Sequence, residues 1–136
     1  MKVVIDTNVF ISGVFFSGPP FKILEAWKNK RIKLVISPSI FEEYRRVATE
    51  LTKQFESIDI SSILELIAIN ADMVPDTTLP SPVCTDSDDD KFLACAVTAK
   101  AKIICSGDKA LLKTSGYNSI QVLTPSDFWK SLTKES

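Results

Sequence analysis

The chain has 136 residues, of which 45% are hydrophobic and 24% are charged, and its formal net charge at pH 7 is -1. This length and composition predict one globular domain, spanning residues 1–136, and give no overall electrostatic attraction to nucleic acid. The chain contains no histidine, which excludes a Ser-His-Asp triad, a histidine-based ribonuclease and the usual histidine-rich zinc sites.

Neither the cysteines nor the apolar runs indicate a secreted or membrane protein. The three cysteines are odd in number and widely spaced, so we expect no disulfide framework and no zinc knuckle. No apolar run approaches the roughly 20 residues of a membrane helix. Asp6 interrupts the first apolar run too early for a signal peptide. We therefore expect a cytoplasmic protein without a membrane partner.

The first part of the chain predicts two strands separated by a helix. The β-branched run Lys2–Ile5 is typical of a buried strand, and Asp6 follows at its carboxyl end. After the turn at residues 17–20, apolar residues recur at helical spacing over residues 21–29. Residues 34–36 then predict a second strand. Open α/β sheets bind ligands at the edge where their strands end, and Asp6 is predicted to lie there.

The second strand leads into a predicted helical hairpin. Ser37 and Pro38 suit a helix cap and a first helical position. The apolar stripe that follows places Glu43 on its flank near the helix start, facing the edge where the strands end. A second helix is predicted over residues 57–70, followed by an edge strand at residues 73–74 and a proline-rich loop at residues 75–83.

A dense acidic cluster opens the next predicted helix, at residues 88–100. Its four carboxylates are Asp86, Asp88, Asp89 and Asp90. One or two acids would suffice to stabilise a helix start, whereas four repel one another and favour a bound cation. A solvated acidic loop is the alternative interpretation.

The last part of the chain repeats the pattern of its start. Residues 102–105 predict a strand that is followed by Ser106 and Asp108, so an acid again lies just past a buried strand. A short helix at residues 109–113, a strand at residues 120–123 and a final helix complete the chain. Thr124 and Asp127 form a capping pattern, which explains Asp127 better than catalysis does.

The order of elements predicts a three-layer α/β/α fold with a central parallel sheet of four to five strands. In such a sheet, strand ends and helix starts share one edge, so Asp6, the acidic cluster, Asp108 and Glu43 are expected to converge. Oxygen ligands without histidine or cysteine favour Mg²⁺ or Mn²⁺. Such ions activate water and stabilise the leaving oxygen of a phosphodiester, which requires no histidine.

The sequence resembles the PIN-domain nucleases, specifically the prokaryotic PIN proteins described as toxin components of toxin–antitoxin systems. The resemblance covers essentially the whole chain and rests on four segments in order: VVIDTNVFISG, SPSIFEEYRRV, DSDDDKFLACAV and IICSGDKALL. It implies a Mg²⁺- or Mn²⁺-dependent ribonuclease acting on single-stranded RNA, with a possible antitoxin partner and self-association into a homodimer or higher oligomer.

The resemblance also implies roles for individual residues. Asp6, Glu43, Asp90 and Asp108 would be the catalytic, metal-holding acids, and Asn8, Ser106, Asp88 and Asp89 would support them. Asp90 matches the third family acid by register with the following Leu-Ala-x-Ala, but relatives often carry Asn there beside an Asp equivalent to Asp89, so both stay candidates. Family members often carry another aspartate two residues after Asp108, where this chain has Ala110.

Other functional classes fit the sequence less well. A phosphatase of the haloacid-dehalogenase type would need an acid at Asn8. A receiver-like domain would need two adjacent acids after the first strand. A catalytically weak or inactive PIN-like domain that binds nucleic acid or protein is the main alternative.

Substrate and partner contacts are predicted only in outline. Basic residues that could meet phosphates are Lys28, Lys30, Arg31, Lys33, Arg45, Arg46, Lys109 and Lys113. Phe15, Phe16 and Trp129 are candidates for self-association or antitoxin binding, with core packing as the alternative role.

Overall fold

A parallel five-stranded sheet forms the centre of the computed structural model, which describes residues 1–55 and 57–134. The strands are β1 (Lys2–Ile5), β2 (Lys33–Ile36), β3 (Asp72–Met73), β4 (Ile103–Cys105) and β5 (Gln121–Leu123). Their order across the sheet is β3-β2-β1-β4-β5. The acids that follow β1 and β4 therefore start from neighbouring central strands, in which Ile5 is paired with Cys105.

Helices flank this sheet and give the predicted three-layer α/β/α architecture. They are α1 (Thr7–Phe15), α2 (Pro19–Lys28), α3 (Pro38–Thr52), α4 (Ile60–Asn70), α5 (Asp90–Ala99), α6 (Lys109–Leu112) and α7 (Pro125–Lys134). Short 3₁₀ turns at Ser87–Asp89 and Tyr117–Ser119 precede α5 and β5. None of the helices in the described part of the chain is long and apolar enough to cross a membrane.

The core explains why the central strands are so apolar. Val3, Val4 and Ile5 of β1 are fully buried, as are Val35 and Ile36 of β2. Strands covered on both faces bury every side chain, which is why they form continuous apolar runs rather than alternating patterns. The three cysteines are also buried and free, as the sequence predicted.

The largest difference from the predicted fold is helix α1, which the sequence pattern did not indicate. It follows β1 directly and packs against α2 and α3. Gly13 allows the close approach to α2, since a Cβ there would lie 2.6 Å from Leu24 Cδ1 and 2.8 Å from the Pro20 carbonyl oxygen. The helix has 9 residues, or about two and a half turns, in a segment for which the sequence predicts no regular element.

The two predicted side-chain caps differ in outcome. Thr124 accepts a hydrogen bond from the Asp127 amide at 3.1 Å, as expected for the start of α7. Ser37 precedes α3 as predicted but makes no side-chain cap. Asp76 from the proline-rich loop instead accepts bonds from the amide and hydroxyl of Ser39, at 3.2 and 2.7 Å, so a distant loop satisfies this helix start.

Candidate active site

Asp6 lies at the junction of β1 and α1, where it serves both elements. Its Oδ1 accepts a hydrogen bond from the Val9 amide at 2.9 Å and so caps α1, while its Oδ2 accepts a bond from the Ser106 hydroxyl. The residue is only 4% exposed. Burial raises the pKa of Asp6, the bonds from Ser106 and Val9 oppose that rise, and the charges of Asp108 and Glu43 add to it.

Ser106 and Asp108 reach the same place because β4 lies beside β1. The Asp6 amide donates to the Cys105 carbonyl at 3.0 Å, which fixes the two strand ends side by side. The fully buried Ser106 hydroxyl also accepts a hydrogen bond from the Asp108 amide at 3.0 Å. Ser106 therefore connects the two strand-end acids and fixes their separation.

Glu43 is brought to these strand ends by α3. The neighbouring Tyr44 is fully buried, stacks on Phe10 with ring centroids 4.2 Å apart, and donates its hydroxyl to the Ile5 carbonyl. This contact anchors the first turns of α3 against the end of β1. Glu43 then accepts one hydrogen bond from the Thr7 hydroxyl and one from the Lys91 ammonium.

The acidic cluster before α5 contributes its members unequally. Asp86 caps the 3₁₀ turn by accepting a bond from the Asp88 amide at 3.0 Å. Asp89 faces Asp108, and burial, a side-chain hydrogen bond with Asp108 and nearby carboxylate charges raise the pKa of Asp89 to about 6. A like charge beside a carboxyl group favours its protonated form, which is the direction of the Asp89 shift.

A pocket of about 220 Å³ gathers these acids. Its lining residues are Asp6, Thr7, Asn8, Glu43, Arg46, Val47, Asp88, Asp89, Phe92 and Asp108. Three of the four acids predicted as catalytic lie here, together with the predicted supporting residues Asn8, Asp88 and Asp89. Ser106 lies beneath the pocket on Asp6.

Asp90, the acid that the sequence register preferred, is placed elsewhere. Its carboxylate accepts hydrogen bonds from the Val83 and Cys84 amides, at 3.2 and 2.7 Å. Although burial raises the pKa of Asp90, these amide bonds lower it, and the net shift is downward. Asp90 thus holds the end of the proline-rich loop against α5, and the structure brings Asp89 to the pocket instead.

Sequence reasoning missed two residues that bind the acids of the pocket. Thr7 is buried and holds Glu43, and its signal was its position directly after the strand-end acid. Lys91 forms ion pairs with Glu43 and, at 3.0 Å, with Asp88. No spacing rule connects residues 43 and 91, so this contact could not be predicted from sequence.

The donor set of the pocket suits a hard divalent cation. Its ionisable ligands are carboxylates, which Mg²⁺ and Mn²⁺ prefer, and burial together with neighbouring carboxylate charges raises the pKa values of Asp6 and Asp89. Among residues 1–55 and 57–134, no three such side chains already form a coordination geometry. The Asp6 and Glu43 carboxylates instead accept hydrogen bonds from Ser106, Thr7 and Lys91.

The fold and pocket define a three-layer α/β/α domain with an acidic site at the carboxyl edge of its parallel sheet. A family model described as the PIN domain matches residues 2–110, and the chain therefore belongs to the PIN-domain family. PIN domains are generally nucleases and typically use divalent metal ions, so this chain has a nuclease-type fold.

The chain is also similar to a curated protein and to a solved structure. The chain is 33% identical over 147 aligned positions to the uncharacterized protein MJ1680 of Methanocaldococcus jannaschii, covering 98% of this chain and 93% of that protein. It is also similar to the structure of the PIN domain of human SMG5, with a TM-score of 0.50 and 13% identity, covering 96% of this chain and 98% of that one. The latter similarity concerns the fold alone.

Proposed function

We propose that this protein is a metal-dependent endoribonuclease that hydrolyses RNA phosphodiester bonds. One observation carries the proposal: carboxylates from both halves of the chain meet in a single pocket at the carboxyl edge of the sheet. A cluster of mutually repelling acids is costly in a small domain unless a cation neutralises it. Family membership supports the nuclease class, and the choice of RNA rests on the sequence resemblance.

Asp6, Asp89 and Asp108 are the residues that would hold Mg²⁺ or Mn²⁺. An ion of this kind supplies activation of a water molecule and stabilisation of charge at a phosphodiester. The chain's own residues prepare the site: Ser106 orients Asp6 and positions the Asp108 backbone. Burial of Asp6 and half-burial of Asp89 keep bulk water from screening the cluster.

The surface beside the pocket supports a path for an RNA strand. A second cavity of about 540 Å³ shares Asn8 and Asp108 with the acidic pocket and is also lined by Lys109. Arg46 lines the acidic pocket itself. Positive charges beside the acids suit contacts with a phosphate backbone. A crevice of this size suits an unpaired strand, so we propose single-stranded RNA as the substrate.

We also propose that the protein is the toxin of a toxin–antitoxin pair and that it self-associates. An exposed aromatic surface supports a protein partner: Phe16 is 54% exposed and packs edge-on against Phe55. Phe15 is buried beneath it. Trp129 is half-buried, and its ring is covered by Lys22 and Arg31, which makes it a poorer candidate for such contacts than Phe16.

The activity is tested by incubating the protein with single-stranded RNA and Mn²⁺ or Mg²⁺. We expect the wild type to cleave, and we expect Asp6→Asn and added chelator to abolish cleavage. Asn is chosen because it still caps a helix, so α1 is kept. Asp59→Asn makes the same change at the N-cap of α4, which lines neither cavity; it is the matched control and should cleave normally. Cleavage that persists in both Asp6→Asn and chelator would refute the proposal.

A PIN-like binding module without turnover is the second candidate. It is favoured because both carboxylate oxygens of Glu43, and both of Asp6, already accept hydrogen bonds from the protein. Thermal unfolding with and without Mn²⁺ separates the two functions. We expect Mn²⁺ to raise the melting temperature of the wild type and of Asp90→Asn, and not that of Asp89→Asn. Stabilisation of the wild type without cleavage of any RNA would favour the binding module.

A further inference from the structure

Lys91 pairs with two of the acids that line the pocket, Glu43 and Asp88, and the proposed chemistry does not use its charge. It follows Asp89 and Asp90 in the chain, and only 17% of its side chain is exposed. Its ammonium donates to Glu43 and to Asp88 and lies 5.5 Å from the centre of the Phe92 ring. A lysine fixed by two carboxylates and a ring acts as a permanent counter-ion rather than as a mobile surface charge.

The acids on the Lys91 side of the pocket are therefore already compensated. Both oxygens of Glu43 are occupied, one by the Thr7 hydroxyl and the other by Lys91. The Asp88 carboxylate shares the same ammonium. A divalent ion binding there would have to displace a hydrogen-bonded ammonium and would meet its repulsion.

The remaining acids of the pocket have no ion-pair partner among the described residues. In the described part of the chain, the ion pairs involve Glu25, Glu42, Glu43, Glu50 and Asp88. Asp6, Asp89 and Asp108 take part in none of them. Asp89 and Asp108 instead share a hydrogen bond with each other. The pocket thus contains two acids that share an ammonium, Glu43 and Asp88, and three for which the described residues show no ion pair. Arg46 also lines the pocket but pairs with none of its acids in the described part of the chain.

We propose that Lys91 takes the place of a second metal ion, so that this pocket binds one divalent ion, on the Asp6–Asp89–Asp108 side. The inference rests on the proposed function, because it presumes that the pocket binds a metal at all. In this proposal Lys91 limits the number of bound ions. Glu43, which is paired with Lys91, lines the pocket without binding the metal.

The number of bound ions tests the inference without reference to activity. Calorimetric titration of the intact protein with Mn²⁺ should give one ion for the wild type and two for Lys91→Met, which keeps an apolar stem and removes the charge. Lys91→Arg retains the charge and should remain at one. Lys53→Met, which breaks an exposed pair with Glu50 far from the pocket, is the matched control and should also remain at one.

The possible outcomes separate this inference from the proposed function. A wild type that binds two ions, or a Lys91→Met variant that binds one, would overturn the inference and leave the metal site intact. A wild type that binds no Mn²⁺ would overturn the metal site itself and the inference with it. If Lys91→Met does not fold, Glu43→Gln is the second test of the inference. This variant should still bind one ion. Loss of Mn²⁺ binding would show that Glu43 is a ligand and would overturn the inference.

Discussion

Removal of the Ser106 hydroxyl is the perturbation whose effect the structure defines best. The hydroxyl is fully buried and donates to Asp6, itself only 4% exposed. Loss of a hydrogen bond to a charged, buried acceptor costs about 2 kcal/mol. For a domain of this size that corresponds to a melting temperature lower by roughly 8 °C. We therefore expect Ser106→Ala to be clearly destabilised at neutral pH.

The same substitution should change how stability depends on pH. The folded pKa of Asp6 lies above its usual value of 3.8, and the Ser106 bond restrains that rise. A raised carboxyl pKa gives stability that is complete below the unfolded pKa and is lost as pH increases through the folded pKa. Without Ser106 the folded pKa rises further, so the deficit of Ser106→Ala should be smaller at pH 4.5 than at pH 7.5.

Urea denaturation followed by circular dichroism at both pH values measures these effects. Ser62→Ala is the matched control, because Ser62 makes the same hydroxyl–carboxylate bond, at 2.7 Å, to the exposed helix-capping Asp59. That exposed bond should contribute no more than about 0.5 kcal/mol. Equal destabilisation by the two substitutions at pH 7.5, or a larger deficit of Ser106→Ala at pH 4.5, would refute the reasoning.

Three further predictions address the anchor of α3, the contact of α1 with α2 and the charge of the pocket. Tyr44→Phe keeps the aromatic stack but removes a buried hydroxyl bond, and should lower the unfolding free energy by about 1 kcal/mol in urea; an unchanged midpoint would contradict the anchor. Gly13→Ala places a Cβ 2.6 Å from Leu24, and should cost about 1 to 3 kcal/mol by the same assay. NMR titration of the metal-free protein should give Asp89 a pKa of about 6, and Asp108→Asn should lower it; a value near 4 in the wild type would show that the two carboxyls do not interact.

Much of the sheet could be predicted because its central strands, β1, β2 and β4, are short, apolar and largely buried. Helix α1 could not, because Thr7–Phe15 contains β-branched residues and Gly13, which have modest helix propensity. Its cap is moreover Asp6. The polar residue that marked the end of a strand was also the start of a helix, and the sequence pattern showed only the first role.

The sequence could predict which strands and helices bring acids to the site, but not which way each side chain faces. Asp6, Glu43 and Asp108 follow from topology, because strand ends and helix starts share an edge. Asp89 and Asp90 are adjacent in the chain. Asp90 faces away from the pocket because its carboxylate accepts hydrogen bonds from the Val83 and Cys84 amides. That contact is tertiary, and sequence register cannot specify it.

The position of β4 beside β1 has a consequence for biosynthesis. The Asp6 pocket requires Ser106, and the Ser106 amide donates in turn to the Leu123 carbonyl at 2.9 Å. A growing chain therefore lacks the assembled acid cluster until residue 123 has left the ribosome tunnel. The order of the strands thus makes assembly of the acid cluster a late event in the synthesis of the chain.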